Sequence, residues 1–279
     1  MQIYLLTALT MTAFAANSVL GRIALRMTDI DPASYVSIRL MSGALILAVL
    51  AGAAGRNGKG AAPAGDWLSA LALFAYAASF SFAYLGLDAG TGALILFATV
   101  QASIIGWSLY CGGRPSVSEW CGLAVAFAAL VWLLAPGVAA PDPFYAALMT
   151  LAGIAWGIYT IRGKAASNPL RATAGNFMRS VPLTAILSAW FFSSASLPLA
   201  GIALAACSGA VTSGLGYALW YRVLKSLSPI QSGMVQLSVP VIAAVGGILF
   251  LGEPLTLRFA ACSCFILGGI GFAIAARRR

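Results

Sequence analysis

The chain has no histidine, and only seven of its 279 residues are acidic. Its five cysteines, Cys111, Cys121, Cys207, Cys262 and Cys264, lack the spacing of metal ligands and read as small apolar fillers. General acid/base and metal-assisted chemistry need His, paired carboxylates or a Cys/His cluster at a buried centre. An enzyme, even one working inside a bilayer, therefore has almost no candidate groups, and no cofactor or metal is expected. Charged residues make up only 8% of the sequence, whereas 61% are hydrophobic and the mean hydropathy is +0.94. A soluble domain of this size would expose far more apolar surface than water tolerates, which places the chain in a lipid bilayer. The net charge of +9 does not indicate nucleic acid, because the cations sit at segment ends instead of sharing one polar face.

What the chain does have is long hydrophobic runs. Crossing about 30 Å of hydrocarbon takes about 20 residues at 1.5 Å each. Ten runs of that kind lie near 3–22, 33–51, 67–86, 91–111, 117–135, 143–162, 172–192, 199–221, 229–250 and 257–276. The breaks carry turn chemistry, as in "DIDPAS", "LDAGTG", "APGVAAPDP", "KAASNP" and "GEPL". Short breaks imply antiparallel neighbours, and unbroken apolar runs exclude barrel strands, which alternate. Residues 1–20 lack a basic leader and read as a span, not as a cleaved signal.

Arg56, Lys59, Arg114, Arg162, Lys164, Arg171, Arg222, Lys225 and Arg277 to Arg279 fall on the side shared by both termini, against Arg22, Arg26 and Arg258 opposite. The positive-inside rule then places both termini in the cytoplasm. An offset of 139 or 140 residues superimposes Arg22 on Arg162, Arg39 on Arg179, Gln101 on Pro240, and Gly113-Arg114-Pro115 on Gly252-Glu253-Pro254. Five spans repeat as five, and because five is odd the second copy enters from the opposite side. The expected fold is therefore an all-α integral membrane protein of ten transmembrane helices, built as two inverted repeats, residues 1–140 and 141–279.

In such a repeat the cargo sits near the midplane, so the polar and aromatic residues of the middle thirds become candidates. They are Asn17, Tyr76, Phe80, Gln101, Trp156, Tyr159, Tyr217, Gln236 and Pro240. Tyr76, Phe80 and Tyr84 recur every four residues on one helix stripe, and Ser213, Tyr217 and Tyr221 match them at an offset of 137, which predicts two facing stripes. Helix packing is the competing reading of an aromatic stripe, and Phe97 and Tyr84 fit it best. Buried amides need partners, which a neighbouring backbone can also supply. Pro240 in mid-helix would free the carbonyl of Gln236. Arg39 and Arg179 are the charges placed well inside spans, where burial is costly; they are expected as gates or as structural charges reaching a loop acid such as Asp29. Gly153 and Gly157 form a GxxxG pair that suits packing within one chain or between two, which leaves the oligomeric state open.

The phrases "VPVIAAVGG" and "LGEPLT" in the second half, with "ANSVLGR" and "AWGIYTIRGK" ending the first helix of each half, resemble the EamA branch of the drug/metabolite transporter superfamily. The resemblance covers essentially the whole chain, and the first half departs from it at Gln101 and Arg114, where the family often carries Pro and Glu. Within the branch the chain is most similar to the YddG-type exporters of aromatic and other neutral amino acids. That resemblance implies a multi-pass transporter of the inner membrane, exporting a small neutral metabolite by alternating access. Other cargoes of the same fold are less well served. A phosphate would need clustered cations and a lipophilic cation an intramembrane carboxylate, and neither is present.

Overall fold

The polar breaks in the hydrophobic runs become helix starts. The computed structural model describes residues 2–54, 64–112, 117–135, 140–164, 166–224, 226–227 and 235–276, and every regular element among them is helical. In chain order these are α1 (Gln2–Met27), α2 (Pro32–Ala54), α3 (Trp67–Ala83), α4 (Ala89–Tyr110), α5 (Val117–Leu134), α6 (Pro143–Lys164) and α7 (Pro169–Trp190), then a 3-10 turn (Phe192–Ser194). There follow α8 (Leu199–Cys207), a π-helical segment (Ser208–Leu215), α9 (Gly216–Leu224), α10 (Ser238–Leu251) and α11 (Leu257–Ala276). Helices α2, α6 and α7 each begin with a proline directly after Asp31, Asp142 or Asn168. The acid or amide accepts the first free backbone amides, and proline's missing N–H costs nothing at that position. Gly113-Arg114-Pro115 and the cations Arg56, Lys59, Arg114, Lys225 and Arg277 to Arg279 lie outside the described residues.

Five rods are long and apolar enough to cross a membrane on their own: Ile3–Met27, Pro32–Ala54, Ala89–Tyr110, Pro143–Lys164 and Leu199–Leu224, the last uniting α8, the π segment and α9. Four shorter apolar helices, Trp67–Ala83, Trp120–Leu134, Ser238–Leu251 and Leu257–Phe272, accompany them. Helix α7 belongs to neither set; Arg171 and Arg179 lower its hydropathy, and Asn176, Ser180 and Thr184 lie on its buried face. Val235 and Gln236 are helical, the chain turns at Leu237, and α10 starts anew at Ser238. Pro240 therefore lies in its first turn, not in mid-helix, where a missing N–H breaks no helical bond.

The helices of the two halves make matching sets of contacts. With Leu199–Leu224 taken as one rod, α1 packs on that rod as α6 packs on α3, and α1 packs on α10 as α6 packs on α4. Helix α2 meets the rod as α7 meets α3, while α2 packs with α7, α4 with α10, and α5 with α11. Small residues make the closest approaches. A methyl group on Gly153 would come within 2.6 Å of Thr99 and one on Gly157 within 2.7 Å of Ser103, so the GxxxG pair seats α6 on α4 inside the monomer. A methyl on Gly209 would lie 2.0 Å from the Arg39 carbonyl, so the π segment presses against the backbone of α2. Leu45, Leu249 and Phe250 stay exposed on the outside, as lipid-facing side chains do.

Candidate functional site

At the centre, α1, α3, α4, α6, the π segment and α9 enclose a cavity of about 20 Å³, lined by Phe14, Asn17, Ser18, Tyr76, Phe80, Leu96, Phe97, Trp156, Thr212 and Tyr217. That volume is about one water's worth, so the conformer is closed around its centre. Trp156 is the hub of the walls. Its ring centroid lies 4.8 Å from that of Tyr76, 5.0 Å from Tyr217, 5.4 Å from Tyr159 and 6.4 Å from Phe14. The two aromatic stripes are thus bridged by Trp156 instead of facing each other directly. Along α3, the ring pairs Tyr76–Phe80 and Phe80–Tyr84 are 5.4 Å and 4.7 Å apart.

The polar side of the cavity is a chain of hydrogen bonds. Asn17 Oδ1 accepts from Ser208 Oγ at 2.8 Å and lies 3.2 Å from Thr212 Oγ1, both in the π segment. Those acceptor contacts fix the amide's orientation, so Nδ2 donates to Tyr76 Oη at 3.2 Å. Arg39 Nη2 also donates to Tyr76 Oη, at 3.1 Å, while its Nε lies 3.4 Å from Ser213 Oγ. The guanidinium carbon sits 4.8 Å from the Phe80 ring centroid and 5.2 Å from that of Tyr76. Arg39 is 1% exposed, and its Nη1 has no hydrogen-bond partner among the described residues.

Two polar clusters close the ends of the bundle. At the end away from the termini, Gly252 adopts φ +65°, the left-handed helix stop, and Glu253 N–H donates to Gly247 O at 3.2 Å. Pro254 prevents the helix from resuming. The turn aims Glu253 at α4, where its oxygens accept from the Ala89 amide at 3.0 and 2.9 Å. Asp88, the residue before α4, makes no side-chain cap of its own; Glu253 fills that role against the helix dipole. Arg22 donates to Glu253 Oε1 at 3.3 Å, to Asp88 at 3.5 Å, and to the carbonyls of Tyr84 and Leu85 at 2.7 and 3.1 Å. Burial raises the Glu253 carboxyl above the usual range, reinforced by the Asp88 charge and opposed by the Ala89 amide and Arg22. Beside it opens a vestibule of about 230 Å³ lined by Asp88, Asp142 and Glu253. At the other end Arg162 donates to Asp66 at 2.9 Å and to Ser69 at 3.0 Å, next to a recess of about 440 Å³. Desolvation opposes it, but the Ser69 bonds and Arg162 hold the Asp66 carboxyl below its usual range.

The EamA-like transporter family matches residues 143–275. An uncharacterised protein of Pseudomonas aeruginosa is 48% identical over 98% of this chain and 94% of its own length. The second half of the chain thus carries an EamA-like transporter domain. The threonine/homoserine exporter RhtA of Salmonella typhimurium is 31% identical over 184 residues, which is 61% of this chain and 59% of RhtA. A solved crystal structure shares the fold at a TM-score of 0.66 over 95% of this chain and 98% of that one, at 17% identity.

Five of the residues expected from sequence, Asn17, Tyr76, Phe80, Trp156 and Tyr217, meet in the cavity wall. Tyr159 backs Trp156 from the next turn of α6. Gln101 lies one turn beyond Phe97 on α4, buried, and its Nε2 has no hydrogen-bond partner among the described residues. Gln236 and Pro240 are buried around the start of α10 but do not line the cavity. Arg39 reaches neither a loop acid nor an end of the bundle. Arg179 donates to the carbonyls of Ala64 and Gly175 and ties the segment before α3 to α7. Phe14, Ser18 and Thr212 were missed, and Phe97 fitted packing better. Phe14 stands three residues before Asn17 and four before Ser18, helical spacings that share a face; Thr212 lies in the π segment, where that spacing is a weaker guide.

Proposed function

We propose that this chain exports small neutral amino acids, with aromatic ones foremost, by alternating access of two inverted five-helix repeats, residues 1–140 and 141–279. Ten spans, both termini cytoplasmic and a place in the inner (plasma) membrane complete the reading. The observation that carries it is the closed central cavity, where both halves contribute rings, hydroxyls and an amide but no carboxylate. The matching contacts of the two halves support the repeat. The aromatic walls favour an apolar cargo side chain; the likeness to a threonine/homoserine exporter supports the amino-acid class. No acid or histidine lines the cavity to carry a proton through the cycle, and a guanidinium keeps its proton at accessible pH, so cargo moves down its own gradient. The test is uptake into proteoliposomes over phenylalanine, tryptophan, threonine, homoserine, purines and quaternary ammonium compounds. Saturable uptake of neutral amino acids is expected; uptake confined to purines or to cations would refute the reading.

A further inference from the structure

Tyr76 Oη receives two hydrogen bonds, from Asn17 Nδ2 and from the Arg39 guanidinium. Both of those groups can only donate there, so the phenol's own hydrogen must point elsewhere, and no described group accepts it. Tyr76 lines the cavity. Its O–H is thus a donor held ready, polarised by a full positive charge behind it. Arg39 is fully buried, and among the described residues it takes part in no ion pair and its Nη1 has no hydrogen-bond partner. A buried cation without a counter-ion is costly unless an anion visits. Near the cavity the charge is one-sided, a cation with no acid, and Gln101 Nε2 is a further donor without a partner among the described residues, one helical turn from the cavity residue Phe97.

We propose that Asn17, Arg39 and Tyr76 form a carboxylate anchor, and that the cargo is recognised by its carboxylate and not by its ammonium group. Tyr76 touches the cargo; Arg39 and Asn17 are positioning residues that act through its hydroxyl. The inference deepens the amino-acid reading above and rests on the same cavity. It also goes further, because a carboxylic acid without an amine should be accepted, whereas the matching amine should not.

The experiment uses the full chain purified in nanodiscs, with binding read from melting shifts for L-phenylalanine, 3-phenylpropionate, 3-phenylpropionamide and 2-phenylethylamine, and for L-threonine beside 3-hydroxybutyrate. At least one of the two acids is expected to bind within a few-fold of its amino acid, with the amide and the amine weaker by about tenfold or more, the scale of one hydrogen bond to a charged group. Tyr76→Phe keeps the ring and removes the donor, and should erase that acid-over-amide preference. Arg39→Gln should do the same and Arg39→Lys should restore part of it; a purely structural arginine would change the melting point without changing the ratio. If Arg39→Gln does not fold, Tyr76→Phe decides. Binding of the amine in preference to the acid, binding of no carboxylate at all, or a preference that survives Tyr76→Phe overturns the proposal. If acids bind and amino acids do not, the amino-acid reading fails and the anchor stands. If amino acids are bound and carried with a preference indifferent to Arg39 and Tyr76, the anchor fails and the amino-acid reading stands.

Discussion

Replacing Arg22 with methionine tests whether the cluster around Glu253 is a dry lock or a solvated decoration. The side chains of Arg22 and Glu253 are 9% and 10% exposed, and that of Asp88 is 46% exposed. Arg22→Met leaves the carbonyls of Tyr84 and Leu85 without their donor and strands a buried carboxylate beside a second one. Removing one partner of a buried pair costs about 3–5 kcal/mol. The half-exposed Asp88 pair adds under about 1 kcal/mol. For a chain of this size that corresponds to a fall in apparent melting temperature on the order of 10 °C. Glu253→Gln should cost less, about 1–2 kcal/mol, since its amide oxygen still accepts from Ala89 and Arg22 keeps Asp88. The double variant should melt well above the sum of the two losses, because no stranded charge remains. There is also a pH signature. Burial already raises the Glu253 carboxyl, so the folded chain binds a proton there that the unfolded chain does not. That contribution is fully present below the unfolded pKa and is lost as pH rises through the folded one. Without Arg22 the folded pKa climbs further, so Arg22→Met should regain stability when pH falls from about 7.5 to about 5.5. Melting curves by tryptophan fluorescence of the full chain supply the measurement. A loss below about 1 kcal/mol, or additive single and double variants, would refute the dry lock.

Trp156→Phe should lower transport severalfold with a melting shift of a few degrees, whereas Trp156→Ala, which empties a four-ring cluster, should cost about 3–5 kcal/mol; the comparison of uptake with melting separates the two effects. Gly209→Ala should destabilise by about 1–3 kcal/mol, because its methyl would meet the Arg39 carbonyl and Ser42 Oγ at 2.0 Å each. An imposed pH gradient across proteoliposomes should not drive cargo above its equilibrium distribution, and accumulation that collapses with a protonophore would sink the facilitator reading.

The helical fold was legible because lipid leaves the backbone one economical choice: an unbroken apolar run must satisfy its own amides. The polar breaks were legible as stops. Their second role as caps, seen at Asp31, Asp142 and Asn168, follows from the same residues. The Gly-Glu-Pro turn was visible as a turn; that Glu253 reaches across to Ala89 and Arg22 was not, since those partners lie 164 and 231 residues away in sequence. The cavity was half legible. Aromatic and amide residues in mid-span pointed to Asn17, Tyr76, Phe80, Trp156 and Tyr217, but the π segment shifts the helical register after Cys207. Ser213 was legible as the first member of the stripe with Tyr217 and Tyr221, whereas Ser208 and Thr212, small hydroxyls of the same segment that also turn inward, carried no such mark. Arg39 was read as a gate or a structural charge, and its depth was counted along its own helix; its partners come from α3 and the π segment, at sequence separations of 37 and 174.

The two arginines related by the 140-residue offset now carry unequal weight. Arg22 and Glu253 meet at 9% and 10% exposure, whereas Arg162 and Asp66 meet at 39% and 47%. An ion pair in water contributes little and is screened by salt, while a dry one backed by two carbonyls and a helix terminus resists separation. On the alternating-access reading, opening toward the Glu253 end must hydrate that cluster, whereas opening toward the terminal end separates a pair that is already wet. The difference biases the empty carrier toward closure at the Glu253 end. Bound cargo can reverse the bias only through contacts that are better in the other state. The Tyr76 hydroxyl is where such a contact would form, with the Arg39 guanidinium behind it; it gains an acceptor when an anionic group arrives, and the closed cavity, holding about one water, leaves it wanting. Cargo recognition and gate opening would then draw on the same buried charge, which couples the anchor at the centre to the lock at the end.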